Sequence, residues 1–178
     1  MSRDSDFQRI KQYFDRKDRE LNMKGKLPLG STEKGFWGVT HLDDFYAWCT
    51  LVELEKFSKF IDLGSGDGRA VLVAALFTAA AGVEFDERLH EQALQAAKEL
   101  VLAASFIKGD YTQLDLSEYD VWFCYADHNF NWLEPKQLEL QHLYLYHDTF
   151  HPHFLHKEKI IWIGQIPVFH YTQKSTSE

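Results

Sequence analysis

Lys59-Phe60-Ile61-Asp62-Leu63-Gly64-Ser65-Gly66-Asp67-Gly68-Arg69-Ala70-Val71-Leu72 is the stretch on which the reading of this sequence turns. Its first five residues are a short apolar run of the strand type. Arg69 to Ala79 is Ala-rich and of the helix type, so three alternating glycines fall in a strand-to-helix turn. Glycine in such a turn lets the backbone approach a ligand closely, and it leaves the first N–H groups of the helix free to meet that ligand.

Working outward, the same alternation continues. Ala80 to Phe85 reads as a strand and Arg88 to Val101 as a helix. Strands follow at Ala104 to Lys108 and Tyr119 to Tyr125, then a helix from about Pro135 to Tyr146 and a strand from Lys159 to Gly164. Strands and helices in this order predict an α/β fold, a doubly wound and mostly parallel sheet. Upstream, Phe7, Ile10, Phe14 and Leu21 fall at helical spacing between Ser5 and Leu21. Met23 to Gly38 reads as a loop with five glycine or proline positions and the aromatics Phe36 and Trp37, and a second helix is expected from about Leu42 to Lys56. Downstream, Gln165 to Tyr171 offers room for one short strand rather than a terminal hairpin, and Thr172 to Glu178 reads as a disordered tail. We read 1–178 as a single domain, with 1–58 as an N-terminal helical and loop extension and 59–171 as a Rossmann-like core.

Composition narrows the class of function. A formal net charge of −8, with acidic residues spread along the chain, argues against a broad nucleic-acid surface. No unbroken apolar stretch marks a membrane span, and with the spacing of Cys49 and Cys124 ruling out a CxxC motif, a reducing, cytoplasmic setting is expected. His147 and His151 are four apart, but Pro152 interrupts the helix that would align them, so no metal site is expected.

Two acids stand at fixed offsets from the glycines. Glu84, at the end of the second core strand in Gly82-Val83-Glu84-Phe85-Asp86, is placed to accept from both hydroxyls of a ribose. Asp110, in Lys108-Gly109-Asp110-Tyr111 after the third, is placed to accept from an adenine amine, with Tyr111 or Phe85 covering the ring face. A dinucleotide site would need G-x-G-x-x-G/A, whereas here the third glycine follows after one residue.

On these residues, 60 to 125 resembles the core of the class I S-adenosylmethionine-dependent methyltransferases, with an acid-x-G-x-G-x-G loop and acids after the second and third strands. The resemblance implies that S-adenosylmethionine is the cofactor, that Asp62, Gly64, Ser65, Gly66 and Gly68 hold its methionine part, Glu84 its ribose, and Asp110 its adenine beside Phe85 and Tyr111. More narrowly, Gly35-Phe36-Trp37-Gly38-Val39-Thr40, Asp120 to Tyr125 and Asn131-Trp132-Leu133-Glu134-Pro135-Lys136-Gln137-Leu138 resemble small archaeal protein-lysine methyltransferases and their mitochondrial relatives. Those proteins carry an aromatic-x-Pro-Thr turn, and here the proline is replaced by Val39.

After the fourth core strand the chain reads Tyr125-Ala126-Asp127-His128-Asn129, without the Asn/Asp-Pro-Pro-aromatic motif of enzymes that methylate planar amines. The expected acceptor is a nitrogen nucleophile such as a protein lysine. Tyr125 would orient the amine, Asp127 or His128 would help remove its proton, and the rings of Trp37, Phe130 and Trp132 would favour the developing ammonium. A small-molecule acceptor, or a binding module without catalysis, are the competing readings.

Overall fold

The computed structural model describes residues 2–125, 129–130, 132–133, 142–147 and 150–173. Helix α1 (Arg3–Met23) is capped by Ser2, whose hydroxyl accepts from Ser5 N–H at 3.3 Å, and it buries Phe7, Ile10, Tyr13 and Phe14 on one stripe. The stretch read as a loop contains a hairpin of β1 (Leu29–Thr32) and β2 (Gly35–Gly38), paired antiparallel from Leu29↔Gly38 to Thr32↔Gly35. Four-residue strands built largely of glycine and polar residues leave no periodicity to read.

Helix α2 (Leu42–Leu51) buries Phe45, Trp48 and Cys49 but stops short of the expected Lys56. Glu53 takes a left-handed conformation (φ 54°), and a 3-10 turn at Leu54–Lys56 then swings Leu54 into full burial. Core strand β3 (Lys59–Leu63) leads into α3 (Arg69–Ala74), also shorter than expected. Thr78 Oγ donates to the carbonyls of Phe57 and Ser58 at 2.6 and 2.9 Å, turning the chain into β4 (Ala79–Glu84). Helix α4 (Glu87–Leu100) is capped by Asp86, whose carboxylate accepts from Leu89 N–H at 2.9 Å.

Strands β5 (Ser105–Lys108), β6 (Val121–Tyr125), β7 (His142–Tyr146), β8 (Leu155–Ile163) and β9 (Ile166–Gln173) complete the described elements. They form a seven-stranded sheet in the order β5-β4-β3-β6-β7-β9-β8. Strands β3 to β7 pair parallel, β9 runs antiparallel to β7, and β8 antiparallel to β9 with a bulge between Lys157 and Lys159.

Two expectations are corrected here. Residues 142–146 belong to a strand, not to the end of a helix from Pro135, of which 135–141 lies outside the described residues. Leu143 and Leu145 pack on one face of the sheet and Tyr144 on the other, so with both faces buried the alternation is of leucine with ring side chains and not of apolar with charged ones. The terminal hairpin does exist: β8 and β9 pair over nearly their whole length around Gly164 at φ 57°. Pro167 sits beside that turn opposite Trp162, where a missing N–H is tolerated.

The sheet has apolar side chains on both faces. Phe60, Phe123, Tyr144 and Val168 meet the helices, while Ile61, Trp122, Leu143 and Tyr171 pack with Leu116, Phe130 and Leu133. Every parallel strand therefore points its carboxyl end to one rim, where the loops after β3, β4, β5 and β6 meet.

Candidate functional site

The turn after β3 is pinned from below. Gly64 N–H and Ser65 N–H both donate to Val83 O at 2.9 Å, and Gly68 N–H donates back to Ser65 O at 2.9 Å. Gly66 has φ 55°, and a Cβ there would stand 2.4 Å from the indole nitrogen of Trp37, so the hairpin ring rests directly on the loop. Gly68 serves packing instead, since a Cβ there would meet Ala93 and Phe106 at 2.7 Å; its bareness lets α4 and β5 close up behind the loop. The Ser65 side chain is packed against Gly82, leaving its backbone to face the groove.

Glu84 is 7% exposed and tied at both oxygens, Oε2 accepting from Gly66 N–H at 2.8 Å and Oε1 from Asp86 N–H at 2.7 Å. Burial raises its pKa, and the bonds from Asp86 and Gly66 oppose that rise. Asp62, 6% exposed, is pushed up to about 8, first by burial and then by the charges of Glu84 and Asp67. Asp110 Oδ1 accepts from Thr112 N–H at 3.0 Å and Thr112 Oγ at 2.7 Å. Its Oδ2 accepts from Lys34 Nζ at 2.9 Å, and the Thr112 and Lys34 bonds hold its carboxyl below the usual range.

A buried ion cluster supports the loop from the other side. Arg69 donates to both carboxylate oxygens of Asp67 and, through its two terminal nitrogens, to those of Asp18 on α1 at 3.0 and 2.8 Å. Its guanidinium also lies 4.6 Å from the centre of the Phe14 ring.

Two cavities lie along the rim and meet at Phe36, Trp37, Gly64 and Tyr125. The larger, of about 540 Å³, is lined by Glu84, Phe85, Asp110 and Tyr111; the smaller, of about 360 Å³, by Asp62, Ser65, Gly66 and Tyr146. The structure thus brings together all but five of the sequence-derived site residues. Gly68 lines neither cavity, and Asp127 and His128 lie outside the described residues. Phe130 and Trp132 are packed on the far face of the sheet, Trp132 with its ring 5.4 Å from that of Tyr111, and do not line either cavity.

Sequence reasoning misses Lys34, Tyr146 and the Asp18–Arg69–Asp67 cluster. Only Tyr146 has a legible signal, the alternation in His142-Leu143-Tyr144-Leu145-Tyr146, which a helical period absorbs when the segment is joined to the residues before it. Among the described residues no three His, Cys, Asp or Glu side chains are grouped to hold a metal ion, and no helix is long and apolar enough to cross a membrane.

The strand order, with an antiparallel strand inserted before the last, and the glycine turn at the switch point define the Rossmann-like methyltransferase fold. Comparison with solved structures agrees. An RNA methyltransferase from Salinibacter ruber, in complex with S-adenosylhomocysteine, superimposes with a TM-score of 0.62 at 22% identity, covering 79% of this chain and 97% of that one. Magnesium protoporphyrin IX methyltransferase from Synechocystis PCC 6803, with bound S-adenosylmethionine, gives 0.57 at 15% identity over 74% and 77% of the two chains. In sequence, 95 residues are 37% identical to a protein-lysine N-methyltransferase of Saccharolobus islandicus (strain REY15A), spanning 48% of this chain and 59% of that relative. No family model matches the chain.

Proposed function

We propose that this protein is an S-adenosylmethionine-dependent methyltransferase acting on a nitrogen nucleophile, with the side-chain amine of a protein lysine as the acceptor. One observation carries the reading: three carboxylates, Asp62, Glu84 and Asp110, stand at the carboxyl ends of three neighbouring parallel strands along two adjoining cavities beside a glycine turn.

The residues present fit the cofactor. Asp62, whose burial and neighbours favour its neutral form, would regain its charge beside an ammonium or sulfonium group. Glu84 lines the larger cavity and would accept there from the ribose hydroxyls, while Phe85 and Tyr111 offer ring faces and Asp110 an acceptor to adenine. When bound, S-adenosylmethionine supplies an electrophilic methyl group. The chain's own part is to hold the acceptor in line with that methyl and keep water away. Tyr125 lines both cavities and so stands between the two halves of the groove, positioned to orient an amine. Asp127 and His128, next in sequence, are the candidates for taking its proton.

The lysine acceptor is supported by the relative from Saccharolobus islandicus and by the absence of an Asn/Asp-Pro-Pro-aromatic motif after β6. A cytoplasmic setting is supported by two buried cysteines not joined in a disulfide. Residues 1–58 work with the 59–171 core as one unit, as the tie from Asp18 to Arg69 supports.

Two measurements test the proposal. Saturation with S-adenosylhomocysteine at ~100 times its dissociation constant should stabilise the fold by ~2.7 kcal/mol, and a response to NAD instead would refute it. Incubation with methyl-labelled cofactor and a cell lysate should place label in methyl-lysine; label recovered only in metabolites would remove the lysine assignment and keep the methyltransferase.

A further inference from the structure

The smaller cavity holds more than a methionine group needs. Beyond Asp62 and the glycine turn, its lining carries the rings of Phe36 and Trp37 from β2, Tyr125 from β6 and Tyr146 from β7, beside aliphatic residues such as Leu29 and Ile166. Tyr125 and Tyr146 are register partners at the carboxyl ends of adjacent parallel strands, with ring centres 5.8 Å apart and planes inclined at 40°. Burial, then Asp44 and Tyr125, push the Tyr146 hydroxyl up to about 12, so it stays protonated and cannot serve as a base at neutral pH.

The charges in the same cavity select among acceptors. Arg69 is the one cationic side chain among the described lining residues, and Asp67 and Asp18 already occupy its donors. A phosphate-bearing acceptor would find no available cation, and a nucleobase would find no side-chain amide among those residues to read its edge. A chain ending in an amine meets ring faces along its stem, Asp62 being taken by the cofactor. Ring faces attract the alkylammonium formed when a methyl is added.

We infer that Tyr146 is a specificity-determining residue, forming with Tyr125 the sheet-side wall of a slot that accepts an unbranched alkylamine and retains its methylated cation. The inference rests on the methyltransferase reading and adds to it the residue that chooses the acceptor. Its chemistry is the ring face, so the hydroxyl is dispensable and the π system is not.

The probe is Nα-acetyl-Nε-trimethyl-lysine amide, compared with its uncharged isostere carrying a tert-butyl group in place of the trimethylammonium. Both are titrated into the protein saturated with S-adenosylhomocysteine. Wild type should bind the cation about five- to tenfold more tightly than the isostere. Tyr146→Phe should keep that ratio. Tyr146→Leu, which retains bulk, should bring it close to one, with a urea melt of the variant as the control for folding. Tyr125→Leu gives a second, independent removal of a ring face and should reduce the ratio too. Equal binding of the two probes by wild type, or an unchanged ratio in Tyr146→Leu, overturns the inference. Failure of wild type to bind S-adenosylhomocysteine would overturn the methyltransferase reading and this inference with it.

Discussion

Lys34, at the tip of the β1–β2 hairpin, reaches across the larger cavity to Asp110: its ammonium lies 2.9 Å from Oδ2 and 4.8 Å from the centre of the Phe85 ring. These are the two surfaces that adenine would use. The pair is partly exposed on both sides, so its own worth is small. Removing it with Lys34→Met should free Asp110 and tighten S-adenosylhomocysteine by about two- to fivefold, measured by calorimetry. A weaker complex would instead mean that Lys34 clasps the bound nucleoside.

Glu84 and Asp86 are separated by one residue and act differently. Glu84→Ala removes the acceptor of the Gly66 and Asp86 N–H groups and the acceptor proposed for the ribose hydroxyls, and should cost ~1.5–3 kcal/mol of cofactor binding. Asp86→Ala removes the cap of α4, which should cost ~0.5–2 kcal/mol of stability and leave affinity nearly alone. Calorimetry beside urea melts on both variants separates the two effects, and equal affinities would refute the assignment of Glu84.

Asp62 links cofactor binding to pH. Its folded pKa, about 8, lies above the unfolded value, so its contribution to stability is full below about pH 4 and is lost as pH rises through 8. The ligand-free protein should therefore melt progressively lower from pH 5 to 8, and Asp62→Asn should flatten that trend. Binding an ammonium ionises the group and releases a proton. Between pH 5.5 and 7 affinity should rise by up to about tenfold per unit in wild type and not in Asp62→Asn. Calorimetry in buffers of different ionisation enthalpy counts the protons, and zero release would rule the linkage out.

Asp18 anchors α1 to the glycine turn through a guanidinium that is 5% exposed. Asp18→Ala leaves Arg69 with Asp67 alone and should destabilise the fold by about 2–3 kcal/mol, less than a fully broken buried pair because Asp67 remains. Adding Arg69→Leu should cost less than the sum of the single changes. Additive urea denaturation energies would show that the two side chains are not coupled.

How much of the molecule can be read from the residues alone follows from where the signals lie. Phe60 to Leu63, the glycine turn and Glu84 are local patterns whose geometry is fixed within a few residues, so β3, β4, α4 and the buried acid at the end of β4 are legible. Tyr146 carries a weaker signal, an alternation of leucine with ring side chains on a strand buried on both faces, and its five residues can be joined to a helical reading from Pro135. Lys34 and Asp18 act at 76 and 51 residues' separation from Asp110 and Arg69, distances over which spacing carries no information. Phe130 and Trp132 resemble acceptor rings by their place after β6, yet the far face of the sheet has apolar side chains to cover, and burial there claims them.

The bulge between Lys157 and Lys159 also bears on behaviour at high concentration. It lies in β8, the outermost strand, among exposed residues His156 to Lys159, while Ile160 and Trp162 further along the same strand are 47% and 62% exposed. An apolar margin of that kind invites a neighbouring molecule to add its own strand. The kink and the charges beside it deny such a newcomer a straight row of hydrogen-bonding groups, so lateral growth of the sheet would first have to flatten it.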